Sequence, residues 1–594
     1  MRYLEFAEAC EQISEISKRL EIRAKLSELL RQLNREEMPA ALYMLQGQLR
    51  PEYEGVELGA GDALVLKALA LATVSEETAL KQRVVALGDM GEAAFEARSK
   101  MSTEPTGKPA LSILGTYEAL SAITRISGEG SQESKIKVMA DLLAQASPIE
   151  AKHLVRFLLG KLRLGVKEMT LLDALADIHG GTDPKAARIA IEEAFNVSSD
   201  LGEIGSLLSQ GGLSALQRVS IRWGKPIRPM LAERERSLAD VFERMGKEMA
   251  LEYKYDGLRV QAHVSADRSV KLFSRRLEDL SAQFPDVAKA LPDAFRELPV
   301  IVEGECVPVD LETGELRPFQ DISRRRGRKY DLERMAEEVP VRLFLFDLLM
   351  RGEVSLLNTP YPERRTALET VTKRGERIDF ATREVVSDVP SAEAFFQRAL
   401  SDGCEGVVAK SLSAESRYKA GGRGFLWIKY KREYTTELGD TIDAVIVGAY
   451  RGRGKRSQWY GAFLMALYDP DRECFSTLCK VGTGFDEAAL ARLTEQLDRI
   501  AVPQKPASVE TTFTPDLWVD PQIVLELRGA ELSLSPVHSA ASGLIREGYG
   551  LALRFPRFTG KFREDKGAAD ANTVREAVGF YNRQVRHVEA EPKP

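Results

Sequence analysis

The chain is poor in cysteine: Cys10, Cys306, Cys404, Cys474 and Cys479 are its five, scattered and without a CxxC pair. That excludes a disulfide framework and a four-thiolate zinc site, and leaves reduced, packed thiols as the expectation. No run of about 18 uncharged apolar residues occurs, so no segment reads as a membrane span. The opening Met1-Arg2-Tyr3-Leu4-Glu5 lacks an apolar leader block, and its acidic residue argues against a transit peptide. An intracellular protein is expected. Nor is there an excess of basic charge. A formal net charge of −6 does not advertise a polyanionic partner, although a phosphate backbone is met by local surfaces rather than by an average. Two local basic clusters are present, Arg324-Arg325-Arg326-Gly327-Arg328-Lys329 and Arg451-Gly452-Arg453-Gly454-Lys455-Arg456. Taken alone, each reads as a solvated loop. Internal repeats and long low-complexity tracts are also missing.

What is present is enough apolar material for several cores. A length of 594 residues suggests two to four domains, and 44% hydrophobic with 29% charged residues is ordinary for a globular protein. From Met1 to about Ser220 the pattern is helical. Phe6, Ile13, Ile16 and Leu20 recur near helical spacing, and Ala- and Leu-rich stretches cover Ala60–Thr73 and Ile136–Ala146. Gly128-Glu129-Gly130-Ser131, Ser147-Pro148 and Gly180-Gly181-Thr182-Asp183-Pro184 separate these stretches as turns, which gives a dozen or so short helices. Gly224-Lys225-Pro226-Ile227-Arg228-Pro229 reads as a linker, because two prolines disfavour helix. Beyond it, strand-like alternation over 252–264, 269–274, 300–309 and 341–349 is interspersed with helix, as at Ala392–Ser401, giving a mixed α and β domain. A second shift falls near Glu437-Leu438-Gly439-Asp440. Short apolar runs at 444–450, 461–468, 475–481 and 523–527, with glycine-rich turns, then predict a small β-barrel; the tail Glu589–Pro594 reads as frayed.

The chemistry centres on Glu252-Tyr253-Lys254-Tyr255-Asp256-Gly257. A lysine attacks phosphorus only as the neutral amine, and its reference pKa is about 10.4. Nearby cations push that value down, and Arg259, Lys429 and Lys431 are candidates to supply them. Ile301-Val302-Glu303-Gly304-Glu305 ends an apolar strand with a carboxylate, and Glu405 stands before the short apolar run Gly406-Val407-Val408-Ala409. Hard oxygen ligands of this kind suit Mg2+, whereas either glutamate alone reads sooner as a surface side chain at a strand end.

In order, the chain presents Glu252 to Arg259, Phe273-Ser274-Arg275-Arg276, Glu303-Gly304-Glu305, Phe344-Leu345-Phe346-Asp347 and Glu405 to Lys410. Trp427-Ile428-Lys429-Tyr430-Lys431 follows, and then Arg554-Phe555-Pro556-Arg557-Phe558 with Arg563-Glu564-Asp565-Lys566 close behind. Seven motifs in this order, over more than half the chain, resemble the ATP-dependent DNA ligases, in particular the archaeal and eukaryotic replicative type. Leu45–Leu58 and Gly160–Val166 resemble that family's DNA-binding domain. Glycine-bearing turns at 128–135 and 160–167 would present backbone N–H groups to phosphates, or simply cap helices.

The resemblance implies three domains: an all-α DNA-binding domain over 1–223, an α+β adenylation domain over 224–437 and an OB-fold β-barrel over 438–594. It implies ATP and Mg2+ as cofactors, nicked duplex DNA as partner, a monomer, and a cytoplasmic, nucleoid-associated location; no sliding-clamp peptide is legible. Lys254 would take AMP from ATP. Glu252 and Phe346 would contact the adenosine, Phe346 by stacking, and Arg259 and Arg275 would reach ribose and phosphate. Arg423 and Lys429 would hold phosphate, Lys429 and Lys431 would stabilise charge at phosphorus, and Glu305 and Glu405 would hold Mg2+. Asp256 would fix its loop, and Arg554 and Arg557 would orient the leaving pyrophosphate. Two departures stand out. The chain has one extra residue between Arg557 and Arg563, which leaves open whether Lys561, Arg563 or Lys566 meets phosphate, and Gly422 occupies a place where lysine is common. RNA ligases and mRNA-capping enzymes share Lys-x-Asp-Gly and a barrel, and the helical third of the chain is what favours duplex DNA. An NAD-dependent ligase would require the zinc cysteines that are missing.

Overall fold

Residues three and four apart along Tyr3–Glu15 bury Tyr3, Phe6, Ala7, Cys10 and Ile13 on one helical stripe. The computed structural model describes residues 1–101, 109–310, 316–317, 319–323, 325, 330–431, 441–452, 456, 458–529, 531–535, 537–554 and 556–586. These fall into two units, Met1–Arg432 and Glu433–Pro594. The first stripe does not continue to Leu20 as the spacing suggested. Ile16 turns to extended backbone, a new helix Arg19–Arg31 starts in a different phase, and Leu20 is left 76% exposed. Further helices, among them Asp62–Thr73, Ser131–Gln145, Pro148–Leu158 and Glu168–His179, share one apolar core running from Tyr3 to Leu216. Asp89, Ser112, Ser147, Asp183 and Asp200 accept backbone N–H groups at helix starts, which is why these polar residues sit at the boundaries.

The stretch Gly224–Pro229 is not a free linker. It is clasped by alternate residues of one strand: Gly224 N–H donates to His263 Nδ1 (3.1 Å), and Ile227 exchanges both backbone groups with the Gln261 amide (2.9 and 3.2 Å). Arg259 Nη1 donates to Met230 O (2.8 Å). Period-two alternation places Arg259, Gln261 and His263 on the same side of that strand, so three side chains substitute for a neighbouring strand. Arg228 adds an ion pair to Glu168 (2.6 Å) and stacks on Phe195, and its N–H donates to Asn196 O.

Two sheets follow. In one, β1 (Leu231–Arg234), β11 (Arg423–Lys431), β10 (Gly406–Ser411), β2 (Met249–Lys254) and β9 (Arg383–Val386) lie in that order. The other runs β4 (Val270–Ser274), β3 (Leu258–Val264), β5 (Val300–Pro308), β6 (Val341–Arg351) and β7 (Val354–Ser355), with β8 (Ile378–Phe380) parallel to β6. The run expected as one strand over 252–264 is broken at Tyr255-Asp256-Gly257. Gly257 packs so closely that a Cβ would stand 2.6 Å from Cys306 O. Glu303 and Glu305, expected at a strand end, lie within β5. Between β5 and β6 the register moves from Glu303↔Asp347 to Gly304↔Leu345, so Phe346 is the extra residue of a β-bulge.

In the second unit the strands run β15 (Ala501–Val502), β17 (Leu517–Val519), β12 (Ile442–Arg451), β13 (Tyr460–Asp469), β14 (Cys474–Val481) and β16 (Val509–Glu510) across the sheet. Here β18 (Val524–Arg528) joins β12 to β21 (Arg557–Phe562), and β19 (Glu531–Ser535) pairs with β20 (Gly550–Arg554). Between two of its pairs with β18, β21 carries two surplus residues. Leu527 pairs with Phe558 and Leu525 with Phe562, so Thr559, Gly560 and Lys561 all oppose Glu526, and Gly560 takes φ +96°. The shift at 437–440 and the tail 589–594 lie outside the described residues. No helix among the described residues is long and apolar enough to cross a membrane.

Candidate functional site

Strand alternation builds one wall of a cavity of about 460 Å³ from three neighbouring strands. Glu252 and Lys254 on β2, Lys410 on β10, and Trp427, Lys429 and Lys431 on β11 all face it. Register fixes their neighbours: Lys254 and Lys431 flank Gly406, while Glu252 and Lys429 flank Val408. Gly406 (φ +149°) has no room for a Cβ against the Tyr430 carbonyl, so it lets the three strands meet at Lys254. The opposite wall comes from the second sheet, with Arg259, Arg275, Glu305 and the bulged Phe346. The volume is that of a small-molecule site.

The cavity has a charged end and an aromatic end. At the charged end, Lys254 Nζ donates to Glu405 Oε2, which also pairs with Lys431 (2.7 Å). Burial works to raise the Glu405 pKa, but Lys254 and Lys431 outweigh it and hold the carboxyl below its ordinary range. Glu305 goes the other way. Burial pushes it up to about 7, against Lys254 and Arg259 and with the help of Glu405 and Asp256. Lys429 is lowered by burial and then by Lys431, Lys254, Arg423 and Arg275, so this is a cluster of mutually repelling cations. Arg275 and Arg423 line the rim and are exposed.

At the aromatic end, Phe346 and Trp427 meet edge to face at 6.1 Å, and Lys410 Nζ lies 4.7 and 4.3 Å from their ring centres. Lys410 pairs with Glu252 (2.7 Å), whose other oxygen accepts from Tyr361 Oη (2.5 Å) and Arg365 (3.3 Å). Behind them Arg364 and Asp347, both fully buried, form a bidentate pair at 2.8 and 2.9 Å.

Several sequence expectations change here. Arg259 lines the cavity, but its guanidinium is turned to Glu303 (2.8 Å) and Met230 O rather than grouped with the lysines. Lys410, Tyr361, Arg364 and Arg365 were not singled out for the site. They stand on the helix Tyr361–Val371 or on β10, and the facing carboxylates of Asp347 and Glu252 explain why Arg364 and Arg365 are buried. In the run Arg324–Lys329, Arg325 is no solvated side chain: it is 1% exposed, pairs with Asp286 (2.5 Å) and stacks on Phe284, while its neighbours 324 and 326–329 lie outside the described residues. Of the run Arg451–Arg456, residues 453–455 also lie outside them.

In the second unit Arg557 is exposed on β21, and the Arg554 side chain lies outside the described residues. Arg563 (2.6 Å) and Lys566 (2.7 Å) share the buried Asp443 carboxylate, whereas Lys561 is 60% exposed and sits 3.5 Å from Glu526. The turns before Ser131–Gln145 and Glu168–His179 contain left-handed glycines, Gly128 and Gly130 in one and Gly160 and Gly165 in the other.

Comparison with known proteins agrees with this architecture. Residues 229–431 match the family described as ATP dependent DNA ligase domain, 2–176 match DNA ligase N terminus, and 456–566 match ATP dependent DNA ligase C terminal region. The DNA ligase of Thermoplasma volcanium is 40% identical over 591 residues, with 100% of each chain covered. DNA ligase 2 of Thermofilum pendens is 43% identical over 594 residues, covering 98% of this chain and 97% of its own. A solved structure named Pmar-Lig_Pre is 16% identical with a TM-score of 0.52, covers 94% of this chain and 99% of its own, and shows a shared fold. The chain belongs to the ATP-dependent DNA ligases. It is an enzyme that uses ATP to join DNA.

Proposed function

We propose that Lys254 is the residue that carries AMP during nick sealing. The observation that supports this is the convergence of Lys254, Lys431 and Lys429 with two glutamates at one end of a nucleotide-sized cavity whose other end is aromatic. The Lys254 amine attacks the α-phosphorus of ATP; a P–N bond forms, the P–O bond to pyrophosphate breaks, and the amine proton is released. A nick 5′-phosphate oxygen then displaces the lysine, and a 3′-hydroxyl finally displaces AMP to form the phosphodiester. The adenine stacks on Phe346 and meets Glu252, Arg259 and Arg275 serve ribose and phosphate, and Arg423, Lys429 and Lys431 stabilise charge at phosphorus. Positioning and electrostatics carry most of such a transfer, which accounts for the cation-rich rim. Asp256 fixes the turn beside Lys254.

Glu305 and Glu405 fit a divalent cation as hard oxygen donors. Mg2+ is held by one or two carboxylates plus substrate phosphates, a demand that two glutamates lining one cavity can meet. Burial is what raises the Glu305 pKa, and a divalent cation beside it would favour the ionised form. When bound, Mg2+ would neutralise phosphate charge. We assign 1–223 to duplex grip, 224–437 to adenylation and 438–594 to an OB-fold whose Arg554 and Arg557 orient pyrophosphate, with nicked duplex DNA bound by a monomer. The test is sealing with ATP and Mg2+ on nicked DNA and, separately, nicked RNA. Joining of DNA by wild type and its loss in Lys254→Ala are expected; sealing by the variant, or a preference for RNA, overturns the reading.

A further inference from the structure

The Glu252 carboxylate stands between the cavity and a set of buried donors that no step above uses. A carboxylate offers about four lone-pair positions and, when ionised, only accepts. Tyr361 Oη (2.5 Å) and Arg365 Nη1 (3.3 Å) both donate to Oε1, and Lys410 Nζ (2.7 Å) approaches Oε2. One lone-pair direction, on Oε2, is left for a donor from the cavity. Each donor is itself fixed. Tyr361 Oη also accepts from Arg383 Nε (3.1 Å), Arg365 bonds Ala381 O (3.1 Å) and Glu369 (2.7 Å), and Lys410 donates to Phe346 O (3.2 Å). Glu252, Tyr361, Arg365 and Lys410 are all less than 6% exposed. Tyr361, Arg365 and Lys410 all present donors to the carboxylate, so it meets the cavity as an acceptor, and their fixed geometry keeps it from turning to meet a different edge.

We infer that Tyr361 and Arg365 are positioning residues for base selection: together with Lys410 they hold Glu252 as a rigid acceptor that admits a base presenting an exocyclic amine and rejects one presenting a carbonyl at the same place. The inference rests on the reading that the nucleotide base meets Glu252. A buried polar group left facing a like group costs far more than an apolar misfit, so a single locked acceptor is sufficient for discrimination.

The test compares self-adenylation of the full chain with ATP and with inosine triphosphate, which replaces the 6-amino group by a carbonyl. Tyr361→Phe removes one hydroxyl without changing the ring, and Arg365→Lys keeps charge while losing the planar fork. In Tyr361→Phe the KM for ATP is expected to rise about tenfold with kcat nearly constant, as for loss of one hydrogen bond to a charged group. The ratio of kcat/KM for ATP over inosine triphosphate falls by a similar factor, and Arg365→Lys shifts the ratio in the same direction by less. Equal losses for both nucleotides, a fall in kcat alone, or an unchanged ratio overturn the inference. If wild-type protein takes label from neither nucleotide, it is the adenylation reading that fails.

Discussion

The two ends of the cavity are built on opposite plans. Around Glu252 and Asp347 buried charges are paired with one another: Arg364 with Asp347, and Arg365 and Lys410 with Glu252. Around Lys254 the groups are partly exposed, Lys254 and Glu405 by 24% and Lys431 by 16%, and one carboxylate, Glu405, is shared by two lysines. A buried, saturated network fixes one geometry, because any change leaves an unpaired group in a low dielectric. A shared, partly solvated carboxylate can exchange partners at small cost. The first plan suits holding a base that is the same throughout the reaction, and the second suits phosphate groups that arrive, react and leave.

This contrast breaks most visibly at Arg364. Arg364→Met strands the buried Asp347 charge, and denaturant unfolding should show a loss of about 3–5 kcal/mol in the unit that contains it. At the reacting end the same kind of change should spare stability. Lys431→Met should lower kcat for self-adenylation about 10²- to 10³-fold, the scale of one transition-state charge contact, with little change in melting temperature. Between them lies Phe346→Ala, for which loss of base stacking should raise the KM for ATP by about 1–3 kcal/mol equivalent while kcat holds. The smallest effect concerns pH. His263, buried and accepting from Gly224 N–H, has its pKa pushed down to about 3. Between that value and the unfolded value of about 6.5, the unfolded chain binds a proton that the folded one does not. Stability should therefore fall as pH drops below about 6.5, by about 1.4 kcal/mol per unit from this residue, and should be flat above it. Replacing His263 by Gln should flatten that slope in acid titrations followed by fluorescence.

How much of this was legible differs between the same two ends. The residues that meet at the Lys254 end were named from short local motifs, and strand alternation turns such motifs into a common face: Lys429 and Lys431 are two apart on β11, as are Glu252 and Lys254 on β2. The network around Glu252 and Asp347 could not be read, because the burial of Tyr361, Arg364 and Arg365 depends on carboxylates about 110 and 17 residues away along the chain. Arg325 was obscure for the same reason, its partner Asp286 lying 39 residues upstream. The proline-bearing segment 224–229 looked free, since a sequence shows its missing donors but not the Gln261 and His263 side chains that satisfy the rest. In the second unit the bulge of β21 opposite Glu526 was not legible, because it needs the register of two strands.

The central claim is that one lysine carries the nucleotide. Incubating the full-length protein with ATP and Mg2+ and locating the added AMP by mass spectrometry of its peptides tests it most directly. A single phosphoramidate on Lys254, reversed by added pyrophosphate, is expected. AMP on Lys429, Lys431 or any other residue, or no covalent AMP in protein that still seals nicks, would contradict it.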